Sequence, residues 1–109
     1  MATAFKNSIT GIIGTESHRV YKCPTSTTAT VIGLSLSNIS SSEATANVLV
    51  IANTSFQAHM IKNAPVPVGG TLVVVGGDQK VVLIENDKIT ITSNTAASVD
   101  VVMSFLEIT

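Results

Sequence analysis

The chain has 109 residues, a formal net charge of −1 and a single cysteine. That length fits one domain over residues 1–109 with a core of its own. The lone Cys23 excludes an internal disulfide and fits assembly in a reducing cytoplasm. Scattered basic residues and only four aromatics argue against nucleic-acid binding, and no apolar run approaches the ~18 residues of a membrane span.

Val, Ile and Thr supply 39 of the 109 residues and Ser plus Thr supply 26. β-branched residues suit a pleated, half-buried surface. Charged residues are 12% of the chain, against about a quarter in ordinary soluble domains. So little charge on a small domain points to a partner that covers part of its surface; the alternative is a monomer whose Ser and Thr hydroxyls solvate it.

In chain order, residues 1–13 carry Phe5, Ile9, Ile12 and Ile13 among polar neighbours, a first strand or an arm that docks on a neighbour. The MATAFKNSIT opening lacks the basic and apolar regions of a secretory signal. Gly14-Thr15 predicts a turn. His18–Lys22 suits an edge strand, where charge discourages stray pairing, and Pro24 ends it. Thr28–Ile39 alternates with period two: Thr30, Ile32, Leu34 and Leu36 on one face, Ala29, Val31, Gly33, Ser35 and Ser37 on the other. After the Ser40-Ser41-Ser42 turn, Glu43–Asn53 returns, and the two segments read as an antiparallel hairpin.

Phe56–Ile61 predicts a short strand with Phe56, Ala58 and Met60 on one side. Asn63–Gly70 predicts a crossing between sheets, built from stiff prolines and permissive glycines. Leu72–Val75 and Val81–Ile84 are apolar throughout, so both faces of each are expected to be covered. Gly76-Gly77-Asp78 between them predicts a tight reversal, and Glu85-Asn86-Asp87 another turn. Ile89 and Ile91 oppose Lys88, Thr90 and Thr92, a half-buried strand, and Ser93–Ala97 turns once more.

The last strand, Val99–Ile108, has two apolar faces. Val99, Val101, Met103 and Phe105 suit the core. Val102, Leu106 and Ile108 lie opposite, with Asp100 and Ser104. The second face needs another layer or another subunit, so Val102, Leu106 and Ile108, joined by Phe5 and Ile9, form the expected oligomer or capsid interface. Eight or nine strands without a convincing helix predict an all-β fold: a single antiparallel β-sandwich, jelly-roll-like.

No constellation of these residues carries catalysis or a cofactor. His18 and His59 are the only histidines and belong to no Cys/His cluster with zinc spacing. Cys23 has no oxidoreductase motif. Asp78, Glu85 and Asp87 sit in turns without EF-hand spacing, and the paired glycines match neither phosphate-binding signature. Ser98 and Ser104 lack a nucleophile elbow. Asp100 reads as a charge at an interface or edge. No enzyme, metal or cofactor is therefore expected.

The pieces APVPVGGTLVVVGGDQKVVLIENDKITITS and AASVDVVMSFLEI resemble small virion structural proteins of tailed bacteriophages. Pro65, Pro67 and Gly69 match the P-x-P-x-G part of that pattern. Gly76, Gly77, Lys80 and Leu83 match the G-G-x-x-K-x-x-L part. Ser98, Val99, Asp100, Ser104, Leu106, Glu107 and Ile108 match the final strand, while Asn86-Asp87 stands where Gly-Asp is commoner. TTATVIGLSLSNISSSEATANVLV is similar to paired strands of the same proteins.

This resemblance implies a non-enzymatic virion component assembled in the bacterial host cytoplasm. The expected role is a capsid cement or decoration protein, a homotrimer clamping the phage major capsid protein at the particle surface. A tail or baseplate component and a carbohydrate-binding sandwich are the alternatives, though the latter usually presents an aromatic platform.

Overall fold

The computed structural model describes residues 3–76 and 80–109. Nine strands are present: β1 (Thr3–Ile13), β2 (His18–Lys22), β3 (Thr28–Asn38), β4 (Ala44–Ile51), β5 (Gln57–Val66), β6 (Thr71–Val75), β7 (Val81–Leu83), β8 (Lys88–Ser93) and β9 (Val99–Ile108). All pairings are antiparallel, and there is no helix among the described residues. One sheet, here sheet A, runs β1-β9-β3-β6, with β7 also paired to β3. The other, sheet B, runs β2-β8-β4-β5. This is jelly-roll order, in which the chain repeatedly crosses between two packed sheets.

The core lies between the sheets. Val31, Leu34, Leu36, Val99, Val101 and Met103 from sheet A meet Val48, Ile89 and Ile91 from sheet B. On β9 and β8 the sequence periodicity holds as predicted: Val99, Val101, Met103 and Phe105 are buried together, as are Ile89 and Ile91. The β2 bounds and its edge position also match.

Four expectations are corrected. The first concerns β3 and β4, which are not a hairpin; they lie in different sheets, and the serine turn carries the chain across the sandwich. Asn38, buried at the end of β3, organises that crossing. Its Nδ2 donates to the Ser42 and Val66 carbonyls at 2.9 and 2.8 Å, and its Oδ1 accepts from Ser40 N–H at 2.8 Å. Second, β3 does not keep one face throughout. A bulge between Val31 and Gly33 switches its phase, so Ala29 and Val31 are buried before it and Leu34 and Leu36 after it.

Third, β5 continues through Pro65 to Val66, and the crossing to sheet A narrows to Pro67–Gly70. There Gly70 N–H donates to the Pro67 carbonyl at 2.8 Å and Gly69 adopts φ 70°, as a type II turn requires. Phe56 falls outside β5 and is exposed. Fourth, the apolar runs at 72–75 and 81–84 are covered on one face only, since Val73, Val82 and Ile84 are exposed. The reversal expected at Gly76-Gly77-Asp78 falls largely outside the described residues. Its flanking strands both run antiparallel to β3, so they share one direction.

The segment left open between strand and arm is a strand. β1 pairs with β9 without interruption from Thr3 to Thr10, Thr3 opposite Ile108.

Candidate functional site

The register of sheet A places its outward side chains in transverse rows. In one row Phe5, Leu106, Thr30 and Val82 stand opposite one another on β1, β9, β3 and β7. In a second, Ile9, Val102, Ser35 and Val73 do the same on β1, β9, β3 and β6. The rows are four residues apart along β1, about 13 Å. Phe5 is 77% exposed, Ile9 70%, Val73 64%, Val82 62% and Val102 47%. Between them run Asn7, Ser104 and Gly33, again directly paired. A Cβ placed on Gly33 would meet no atom within 4 Å. The outer face of sheet A is thus a shallow trough with small residues on its floor and apolar residues on both banks.

All five residues expected at an interface lie on this face. Phe5 opposes Leu106, Ile9 opposes Val102, and Ile108 closes the sheet opposite Thr3. The period-two rule found the β9 members because the opposite set fills the core. It missed Val73 and Val82, whose uninterrupted apolar runs look the same whether the outer face is covered or open.

A seam of charge joins the two sheets beneath β1. Glu107 continues the buried side of β9, and its Oε1 takes the Lys6 ammonium at 2.7 Å. Tyr21 of β2 donates its hydroxyl to the Glu107 Oε2 at 2.5 Å, and its ring packs on Phe105 with centroids 4.4 Å apart. The hydrogen bonds from Lys6 and Tyr21 hold the Glu107 carboxyl below its ordinary range. Burial, helped by the bond to Glu107, pushes the Tyr21 phenol well above its own. Sequence reading found no partner for Glu107; Tyr21 lies 86 residues away in the chain.

The remaining candidates are structural. Cys23 is fully buried, its Sγ donating to the Thr27 and Leu83 carbonyls, and burial raises its thiol pKa. Asp87 braces two turns by accepting from Asn53 N–H at 2.9 Å and Ile84 N–H at 3.0 Å. Asp100 accepts from Ile12 N–H at 2.9 Å and so holds the β1 bulge, where Ile12 sits at φ 61°. His59 is exposed on β5. A cavity of about 350 Å³ beside that bulge is lined by Ile12, Glu16, His18 and Ala97 among others. No three His, Cys, Asp or Glu side chains converge as a metal site among the described residues. The aromatics form no platform: Tyr21 and Phe105 stack against each other, Phe5 lies on sheet A, and Phe56 precedes β5.

No protein-family model matches this chain, and no curated protein is similar in sequence. Among solved structures, the fold is similar to a chain of the Bacillus endospore appendages, described as a novel family of disulfide-linked pili. The TM-score is 0.54 at 13% identity, over 98% of this chain and 88% of that one. The likeness is one of fold and spans the whole sandwich. That neighbour is a structural protein, and no phage family is shown.

Proposed function

We propose that this chain is a virion structural subunit of a tailed bacteriophage, a cement protein that docks on the assembled capsid through the outer face of sheet A. One observation carries the reading: two largely apolar rows cross that sheet, and none of the described residues covers them. Each such side chain, once fully buried, contributes about 1.5–3 kcal/mol. Repetition over many copies multiplies modest single contacts into lasting attachment. The low charge, the Ser/Thr-rich exterior and the sequence resemblance support the same reading.

Co-sedimentation with capsid shells of the phage that encodes the chain tests it. Wild-type protein pellets with the shells. Val102→Asp and Leu106→Asp remain in the supernatant with unchanged circular dichroism. Pelleting of either variant at the wild-type level removes the outer face of sheet A from the account.

A fibre subunit is the second reading, favoured by the whole-chain likeness to the endospore appendage fold. Covalent linkage of that neighbour's kind has little to work with here, because the single cysteine is sealed in the core. Electron microscopy of the concentrated protein separates the two: filaments favour the fibre, discrete oligomers the cement.

A further inference from the structure

A sheet edge exposes unpaired N–H and C=O groups, and proteins blunt such edges unless pairing is wanted. This sandwich has four edges. β2 is five residues long, carries His18, Arg19 and Lys22, and is broken by a bulge. β5 has two register shifts, Pro65, Lys62, and Asn63 at φ 52°. The far edge of sheet A is divided between β6 and β7, of five and three residues.

β1 has none of these protections over Thr3–Thr10. It contains no proline, and its register against β9 is unbroken there. Its one charged residue, Lys6, is committed to Glu107 at 2.7 Å, so its ammonium does not guard the edge. The bulge follows at Thr10–Ile13, ending an eight-residue pairing stretch of typical strand length. Both apolar rows also run out to this edge, ending on Phe5 and Ile9.

We infer that the free edge of β1 pairs antiparallel with β1 of a second copy, joining two A sheets into one continuous sheet about a two-fold axis. A second copy is the fitting occupant because an antiparallel strand is its own complement, whereas any other pairing between copies would have to use one of the three blunted edges. The union would also extend each apolar row across both subunits. It rests on reading the chain as an assembly subunit, but not on which particle it joins.

Light scattering and hydrogen exchange test it. The associated protein should have a mass that is an even multiple of 11.3 kDa. Exchange of the alternate amides in residues 3–10 that face the free edge should slow at least tenfold between the dilute and the associated protein. Asn7→Pro and Ser8→Pro supply the variants, since adjacent strand amides point to opposite edges. One of the two loses its bond to β9 and is destabilised. The other keeps the fold and becomes a monomer. A monomer at every concentration, an odd multiple such as the trimer implied by the resemblance, or unchanged β1 exchange on association overturns the inference. So does wild-type mass in the proline variant that keeps the fold undisturbed. Shell binding reads the sheet face and native mass reads the edge. A Val102→Asp protein that dimerises but does not pellet with shells upholds both readings; one that dimerises and pellets upholds only the edge.

Discussion

The two sheets of the sandwich turn unlike surfaces to solvent. Outside sheet A stand Phe5, Ile9, Val73, Val82 and Val102, with no ionic group in either apolar row. Outside sheet B, Arg19, Thr90, Leu49 and His59 form one paired row, and Lys22, Lys88, Ile51 and Gln57 another. Sheet B therefore sets its apolar side chains, Leu49 and Ile51, singly among cations and hydroxyls, which is ordinary for a solvated surface, whereas sheet A gathers most of its own into two rows on one face. The low charge of the chain is thus concentrated in effect on one face, an asymmetry that composition averages away.

Substitutions can break that contrast at different depths. The largest effect belongs to neighbours on β9 that face opposite ways. Val101→Asp places an unpaired charge in the core and should cost about 3–5 kcal/mol, abolishing cooperative unfolding near room temperature. Val102→Asp, one residue on, should change stability by less than about 0.5 kcal/mol in urea titrations while removing shell binding. Equal damage from both would mean that the outer face of sheet A is as enclosed as the core.

The seam between the sheets comes next. Glu107→Gln removes the Lys6 ion pair and weakens the Tyr21 bond, which should cost roughly 1–3 kcal/mol at neutral pH. Because the folded carboxyl titrates below its ordinary 4.5, its stabilisation is complete above about that pH and is lost as pH falls through the folded-state value. The Tyr21 phenol is displaced the opposite way, so its contribution is complete below its ordinary 10.0 and declines as pH rises beyond it. Thermal midpoints measured against pH should fall at both ends, and Glu107→Gln should flatten the acid limb. An unchanged acid limb would remove the seam as its source.

Gly33→Leu should separate fold from face by sign. The site has room for a side chain and no positive φ, so relief of glycine's entropy cost should raise stability by about 0.5 kcal/mol. The same side chain fills the trough and should lower shell binding at least tenfold. The smallest effect is on sheet B, where Leu49→Thr should leave shell binding unchanged. A loss there would make both outer faces contact surfaces.

Local chemistry made the strands legible. β-branched runs stop at Gly14, Pro24, Ser40–Ser42 and Asn86, and β8 and β9 keep their period to the end. Pairing was less legible. Sequential strands are neighbours about two-thirds of the time, which favoured a hairpin for 28–53, but jelly-roll crossings defeat that preference. Nothing local marks the bulge at Ile32-Gly33 except the glycine, and a shift of one residue exchanges the two faces. Of the candidate site, the β9 and β1 members could be found because a strand with two apolar faces must account for both. The β6 and β7 members could not, because an apolar run does not say which side is closed. Glu107 was visible as a motif letter; its burial depends on Tyr21 and Lys6 arriving from two other strands.

The pairing of Thr3 with Ile108 also fixes when this surface comes into being. β9 lies between β1 and β3 in sheet A, yet it is the last of the nine strands to be synthesised. Until it emerges from the ribosome, β1 has no strand partner and the rows through Leu106 and Val102 have no middle. Bringing β9 back beside β1 closes a loop of nearly the whole chain, a non-local pairing of the kind that slows folding. A half-made chain therefore cannot present the five-strand outer face of sheet A.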